Sequence, residues 1–353
     1  MRRSAIVWSI RAASMVAALH CISRADLGYA HQEEFKNAPE FFAGRKMSLI
    51  VDTSAGGGYD AYGRLLARHY GAHIPGAPTI VVQNMPGAGG LTAANWLSQI
   101  AARDGSVVQI MSRSVPLAPL MGTPGVRFDP LALSWIGSLN REVLIAFAWS
   151  AANVENFDHL KRQAFSVGVT GPSADSALFT RLSNNLLGTK LKIISGYRGS
   201  DAINLAIEQG ENEIGTGSWS SLKTRKADWI ADNRIKVLVQ FALDGLPELK
   251  GVPLVGEFAP DERARKAFEV FLAPQEMGRP IVAPPAIPAY RLEILRKSLL
   301  ATTADKDFLS QAERQGLDID PISGARVLSL LAQIYSLDPD LVKIAREAGK
   351  PSE

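Results

Sequence analysis

The chain has 353 residues, more than a single core needs and ample for two domains of ordinary size. Its 46% hydrophobic and 21% charged content is that of a folded soluble protein, which excludes disordered, collagen-like and coiled-coil classes. The formal charge of +3 arises entirely at the N-terminus. Four of the 38 basic and one of the 35 acidic residues lie in residues 1–30, leaving 34 of each beyond. A neutral remainder argues against a nucleic-acid partner.

Residues 1–30 read as a secretory signal peptide. Arg2 and Arg3 precede a short apolar stretch, Arg11 interrupts it, and a second apolar run extends from Ala12 to Leu19. Small residues in Gly28-Tyr29-Ala30 place cleavage after Ala30. The run is shorter than the ~20 residues of a membrane span. The competing reading is an amphipathic N-terminal helix of a cytosolic protein. Cys21 is the only cysteine, so the mature chain would carry none, which suits an oxidising compartment.

Residues 31–45 are polar, broken by Pro39 and Gly44, and read as a lead-in. Met47 to Val51 is the first strand, ending in Ser54-Ala55-Gly56-Gly57-Gly58. The next helix carries Tyr62, Leu65, Leu66, His69 and Tyr70 at helical spacing. Thr79 to Val82 is a second strand, followed by Asn84-Met85-Pro86-Gly87-Ala88-Gly89-Gly90 and a helix from about Leu91 to Ala101. Val107 to Met111 is a third strand. Strands alternating with helices predict βαβ units and a mainly parallel sheet, with both glycine turns at one sheet edge.

The pattern restarts near residue 143. Strands are expected at Val143 to Trp149, Phe165 to Val169, Leu191 to Ile194, Ile214 to Ser218 and Val237 to Phe241. Thr170-Gly171-Pro172-Ser173 opens one helix and Tyr197-Arg198-Gly199-Ser200 another. Beyond the proline-rich stretch Pro280 to Pro288, amphipathic helices cover Tyr290 to Leu300, Lys306 to Gln315 and Ala325 to Tyr335. The fold class is therefore α/β in two lobes: 46–145 with 252–353, and 146–251. Hinges are expected near Arg141 to Trp149 and around 240–255.

Each glycine-rich turn leaves a helix N-terminus whose backbone N–H groups and dipole favour an anion. Four such turns converging would grip a carboxylate or phosphate without any Lys or Arg. The candidate ligand-binding residues are Gly57, Gly58, Tyr59, Asp60, Asn84, Pro86, Gly87, Ala88 and Gly89 from the first half. Ser112 and Ser114, past the third strand, add hydroxyls. The second half contributes Thr170, Gly171, Ser173, Tyr197, Gly199, Ser200 and Ser218. Asp60 has two compatible roles, capping its helix or accepting a hydrogen bond from a ligand. Tyr59, Tyr197 and Trp219 are either pocket walls or core.

No phosphate-binding loop, dinucleotide fingerprint or nucleophile elbow is present, and no cofactor is expected. His69 and His73 have metal-ligand spacing, but Gly71 and Pro75 end the helix there and no third ligand is evident, so no metal site is assigned.

Three stretches resemble the solute-binding receptors of tripartite tricarboxylate transporters, the Bug family. They are Leu49 through Gly56-Gly57-Gly58-Tyr59-Asp60 to Leu66, Val81 through Asn84-Met85-Pro86-Gly87-Ala88-Gly89-Gly90, and Tyr197-Arg198-Gly199-Ser200 with Ala206 and Gly210. Asp104-Gly105 also fits. The resemblance implies a two-lobed periplasmic-binding fold of type II-like form, the C-terminal helices returning to the first lobe. It further implies a carboxylate held by backbone N–H groups in the interlobe cleft, and a membrane permease pair as partner. The chain departs from the family at Thr53-Ser54-Ala55 and at Tyr59, which would fill part of the pocket or stack on a ligand. The expected function is a monomeric periplasmic receptor and not an enzyme. A sensing receptor, or an enzyme using Asp60 as base, are the alternatives.

Overall fold

A computed structural model describes residues 38–350 apart from residues 172 and 173. The expected signal peptide, the first part of the lead-in and Ser173 lie outside the described residues. The end of the lead-in is not inert. Ala38–Phe42 forms a short helix, α1, whose Phe42 is fully buried, while Arg45 and Arg291 stack on the Phe41 ring.

The first sheet begins with β1 (Lys46–Val51), helix α2 (Gly58–His73), β2 (Thr79–Asn84), helix α3 (Leu91–Gln99) and β3 (Val107–Ile110). β2 and β3 pair in parallel on either side of β1, with Lys46 opposite Thr79 and Ser48 opposite Val107. α2 covers this sheet because Tyr62, Leu65, Leu66 and Tyr70 fall on one stripe and are almost wholly buried. Burial of each large side chain stabilises by about 1.5–3 kcal/mol. The Tyr70 hydroxyl is satisfied by donating to the Leu295 carbonyl at 2.8 Å. Gly71 lets α2 approach β2 closely: a Cβ there would lie 2.2 Å from the Pro78 carbonyl oxygen.

The second sheet holds β5 (Leu144–Trp149), β6 (Phe165–Val169), β7 (Leu191–Ser195), β8 (Ile214–Ser218) and β9 (Ile235–Phe241) in the order β7-β6-β8-β5-β9. Helix α4 (Asp175–Leu187) follows β6, α5 (Ser200–Glu208) follows β7 and α6 (Trp219–Arg225) follows β8. Trp229, Phe147 and Ile207 anchor a core on one face, Phe165, Phe179 and Phe241 on the other.

Two strands of the first sheet lack a sequence signature: β4 (Ser134–Ser138) and β10 (Pro280–Ala283). β10 lies inside the stretch read as proline-rich connection. Pro280 is tolerated as its first residue, where no ladder donor is lost. With β11 (Ile322–Ser323) the order is β11-β4-β10-β3-β1-β2. β10 runs antiparallel to both neighbours, as does β5 to β8 and β9. Both sheets are therefore mixed, because a chain returning from the other lobe enters from the opposite edge. Parallel pairing persists only among β1–β3 and β6–β8.

Helices α7 (Glu262–Leu272), α8 (Ala289–Ala304), α9 (Lys306–Arg314), α10 (Gly324–Tyr335) and α11 (Pro339–Ala348) complete the chain. α8 and α9 pack on α2, and α10 packs on β4. Residues 252–272, expected with the first lobe, lie beside the second sheet: Leu254 bridges to Gln240 of β9, and α7 touches α4. The terminal helix α11 packs on both α7 and α4. The chain crosses between the sheets at 139–143 and 273–279. These segments bond to each other, Leu139 N–H to the Arg279 carbonyl, Gly278 N–H to that of Asn140 and Glu142 N–H to that of Gln275.

Candidate functional site

The turns after β1, β2 and β3 meet around two buried carboxylates. Asp52, ending just past β1, accepts from the Ser112 backbone N–H at 2.6 Å and hydroxyl at 2.8 Å. Burial raises its pKa to about 6, against the lowering effect of those hydrogen bonds. Gly90, at φ 96°, fits because a Cβ would lie 2.7 Å from Asp52 Oδ2. Asp60 accepts from the Gly56 N–H, from Arg64 Nε (both 2.8 Å) and from Asn84 Nδ2 at 2.9 Å. Burial pushes its pKa up, but the Arg64, Gly56 and Asn84 hydrogen bonds outweigh that and hold it below the usual range. Gly57, not Asp60, is the N-cap of α2. Asp60 and Asn84 thus clamp the first two glycine turns together, with Gly57 exposed and Gly58 half-buried beside Pro86, Gly87, Ala88 and Gly89 on the open edge.

Helix capping separates the turn-led helices from most others. The N-caps of α2, α3, α4 and α5 are Gly57, Gly90, Ala174 and Gly199, none of which supplies a side-chain hydrogen bond. By contrast, α6, α7, α9, α10 and α11 are capped by Ser218, Asp261, Asp305, Ser323 and Asp338. The helices that follow the glycine-rich or small-residue turns keep their first N–H groups free of side-chain acceptors.

Arg113, between the two serines singled out in the sequence, joins the two halves. It is 6% exposed, and its Nη2 lies 2.7 Å from Asp175 Oδ2 at the start of α4. Burial pulls its pKa down, and Asp175, Tyr59 and Glu142 more than compensate. The turn after β3 therefore faces the N-terminus of α4 across the cleft. The Tyr59 hydroxyl accepts from the Arg113 N–H at 3.0 Å, and Arg279 stacks over its ring at 4.5 Å. Arg279 also lies over Tyr62 and pairs with Glu142 at 3.2 Å, a pair 6% and 1% exposed. Glu142 accepts from Ser218 Oγ at 2.7 Å and from Ser220 Oγ at 3.2 Å. Nε of both Arg113 and Arg279 is buried without a hydrogen-bond partner among the described residues.

The remaining sequence candidates are more scattered. Ser112 is engaged by Asp52, whereas Ser114 lines an interlobe cavity with Ala88 and Gly89. Thr170 is exposed and Gly171 half-buried ahead of α4. The Tyr197 hydroxyl accepts from Asn212 at 2.8 Å, while Gly199 (φ 147°) and exposed Ser200 open α5. Ser218 is both the α6 cap and a partner of Glu142. Asp52, Arg113, Glu142, Asp175 and Arg279 escaped the sequence reading. The available signal was a charged residue directly after a predicted strand, as in Asp52 after β1. No group of three metal-ligating side chains occurs among the described residues, and His69 and His73 instead meet Gln311 and Asp305.

Two helix-flanked sheets, joined by two crossing segments, define a two-lobed α/β fold. Solved structures share it. A TctC solute-binding protein from Polaromonas superposes with TM-score 0.63 and 19% identity, over 85% of this chain and 98% of its own. The periplasmic binding protein BugD gives 0.64 and 22%, over 87% and 99%. MatC from Rhodopseudomonas palustris, with bound malate, gives 0.63 and 18%, over 85% and 100%. No family model and no curated protein matches the sequence. At these identities the comparisons establish the fold.

Proposed function

We propose that this chain is an exported solute-binding protein, a divergent relative of the tripartite tricarboxylate receptors, which captures a small carboxylate between its lobes. The observation behind it is the meeting of the α2 and α4 N-termini, neither capped by a side chain, with two buried arginines where the two lobes face each other. Oriented N–H groups favour an anion there, and the ion pairs of Arg113 with Asp175 and Arg279 with Glu142 leave the buried Nε of each arginine without a partner among the described residues. MatC, with the same fold, is described with bound malate. Asp60, held below the usual carboxylate range and clamped by three donors, is a structural clasp rather than a base. The lobes would swing about 139–143 and 273–279, and the closed form would be presented in the periplasm to a membrane permease.

Thermal unfolding of residues 31–353 against carboxylates, phosphates, amino acids and sugars tests this. A ligand at ~100 times its Kd adds about 2.7 kcal/mol of stability. A midpoint raised by carboxylates supports the proposal; a rise with sugars and none with any acid overturns it.

A further inference from the structure

Beside the Arg113–Asp175 pair, a cavity of about 580 Å³ opens between the lobes, within the size range of small-molecule sites. One side is the glycine turn at Ala88 and Gly89 and the segment after Ser114; the other is α4. Leu117, Met121, Leu178 and Phe271 give it apolar walls. Three cations, Arg181, Arg346 and Lys350, reach it, and among the described residues no carboxylate lines it. Two of these are exposed: Arg346, which donates to the Leu120 carbonyl, and Lys350, which pairs with Glu347.

Arg181 is different. It is 8% exposed, and its Nε donates to the Gly349 carbonyl at 2.7 Å. Its two Nη groups make no hydrogen bond or ion pair with any described residue. Burial alone acts on its pKa, lowering it, with no nearby carboxylate to offset the desolvation. Its unpaired Nη groups are not buried but open to the cavity, where an entering carboxylate can make a bidentate, charge-assisted contact. Asp175, Leu178 and Arg181 follow at three-residue spacing along α4, so the charge lies past an apolar step from the cross-cleft pair.

We propose that Arg181 is the anchor of an amphiphilic carboxylate site, in which an apolar body occupies the cavity wall and the acid group meets the guanidinium. This rests on the solute-capture reading and narrows its ligand to acids with an alkyl or aryl body, in preference to short hydroxy-di- or tricarboxylates.

The test measures Kd by calorimetry for 4-phenylbutyrate, its primary amide, malate and citrate, on the wild-type chain 31–353 and on Arg181→Gln, Arg181→Lys and Met121→Trp. Phenylbutyrate should bind the wild type at least tenfold tighter than its amide, malate or citrate. Arg181→Gln should weaken it about 10- to 100-fold and leave the amide unchanged, the scale of one lost charged hydrogen-bonding group. Arg181→Lys should fall between, and Met121→Trp, which fills the cavity and keeps the charge, should also weaken phenylbutyrate. If malate or citrate binds best and neither Arg181→Gln nor Met121→Trp alters affinity, this inference is wrong while solute capture stands. If none of the three acids binds the wild type, this inference falls, and solute capture is decided by the wider thermal-unfolding panel. Should Arg181→Gln not fold, Arg181→Lys and Met121→Trp decide the matter between them.

Discussion

Arg279→Met should be among the most destabilising single substitutions in this chain. It strips the cation from Glu142, whose side chain is 1% exposed and sits on the first crossing segment. Leaving one member of a buried pair unpaired costs about 3–5 kcal/mol. Ser218 and Ser220 continue to donate to Glu142, which favours the lower end of that range. Stacking over Tyr59 and Tyr62 is lost as well, adding about 0.5–2 kcal/mol. Together these come to about 3.5–7 kcal/mol, and at about 2–4 °C per kcal/mol the midpoint should fall by about 7–28 °C in calorimetry. The double variant Glu142→Gln/Arg279→Met removes the orphaned charge and should recover at least half of the loss. The reasoning fails if Arg279→Met costs less than about 1 kcal/mol, or if the two substitutions are additive, since residues in contact should couple.

Asp52 gives a pH signature. Its folded pKa of about 6 exceeds the unfolded value near 3.8, so the folded chain holds the extra proton between them and stability declines as pH rises through that window. Asp52→Asn keeps the Ser112 N–H contact, with the Ser112 hydroxyl turning from donor to acceptor of the amide, and should flatten about 2–3 kcal/mol of that decline between pH 4 and 7, read from denaturant midpoints. Gly71→Ala drives a methyl to 2.2 Å from the Pro78 oxygen and should cost about 1–3 kcal/mol, whereas Gly57→Ala, with nothing nearer than 3.8 Å, should leave unfolding within about 0.5 kcal/mol of wild type. Asp175→Asn removes the ionic contact of the turn after β3 with α4, so small-angle scattering of the ligand-free protein should show a larger radius of gyration; an unchanged radius counts against a closing role for this pair.

Local sequence carried the parts of the fold that are local. Glycine-rich turns between an apolar run and a helical stripe fixed β1-α2, β2-α3 and β7-α5, because turn chemistry and periodicity act within a dozen residues. β4 and β10 were illegible for a physical reason. Each is short and buried on both faces, so it shows no alternation, and Pro280 speaks against a strand unless its position at the first residue is known. Phe41 and Phe42 were hidden in a polar segment whose partners, such as Arg291, come from the far end of the chain.

The cleft divides in the same way. The turns were visible as anion-friendly backbone, but Arg113–Asp175 and Glu142–Arg279 each join residues from different lobes or different crossings, and no spacing rule pairs them. Asp60, whose place after three glycines suggested a helix cap or a ligand contact, is engaged by Gly56, Arg64 and Asn84. Tyr59, the departure that set this chain apart from the family pattern, turns out to be the platform for Arg279.

Selection of the ligand by its carboxylate charge is read from calorimetric titration of residues 31–353 with matched pairs of acids and their primary amides. One site per chain is expected for at least one acid, with the matching amide at least about tenfold weaker, the scale of a lost charge-assisted contact. Equal affinity for acid and amide, or saturable binding of a neutral solute with none of any acid, would contradict it.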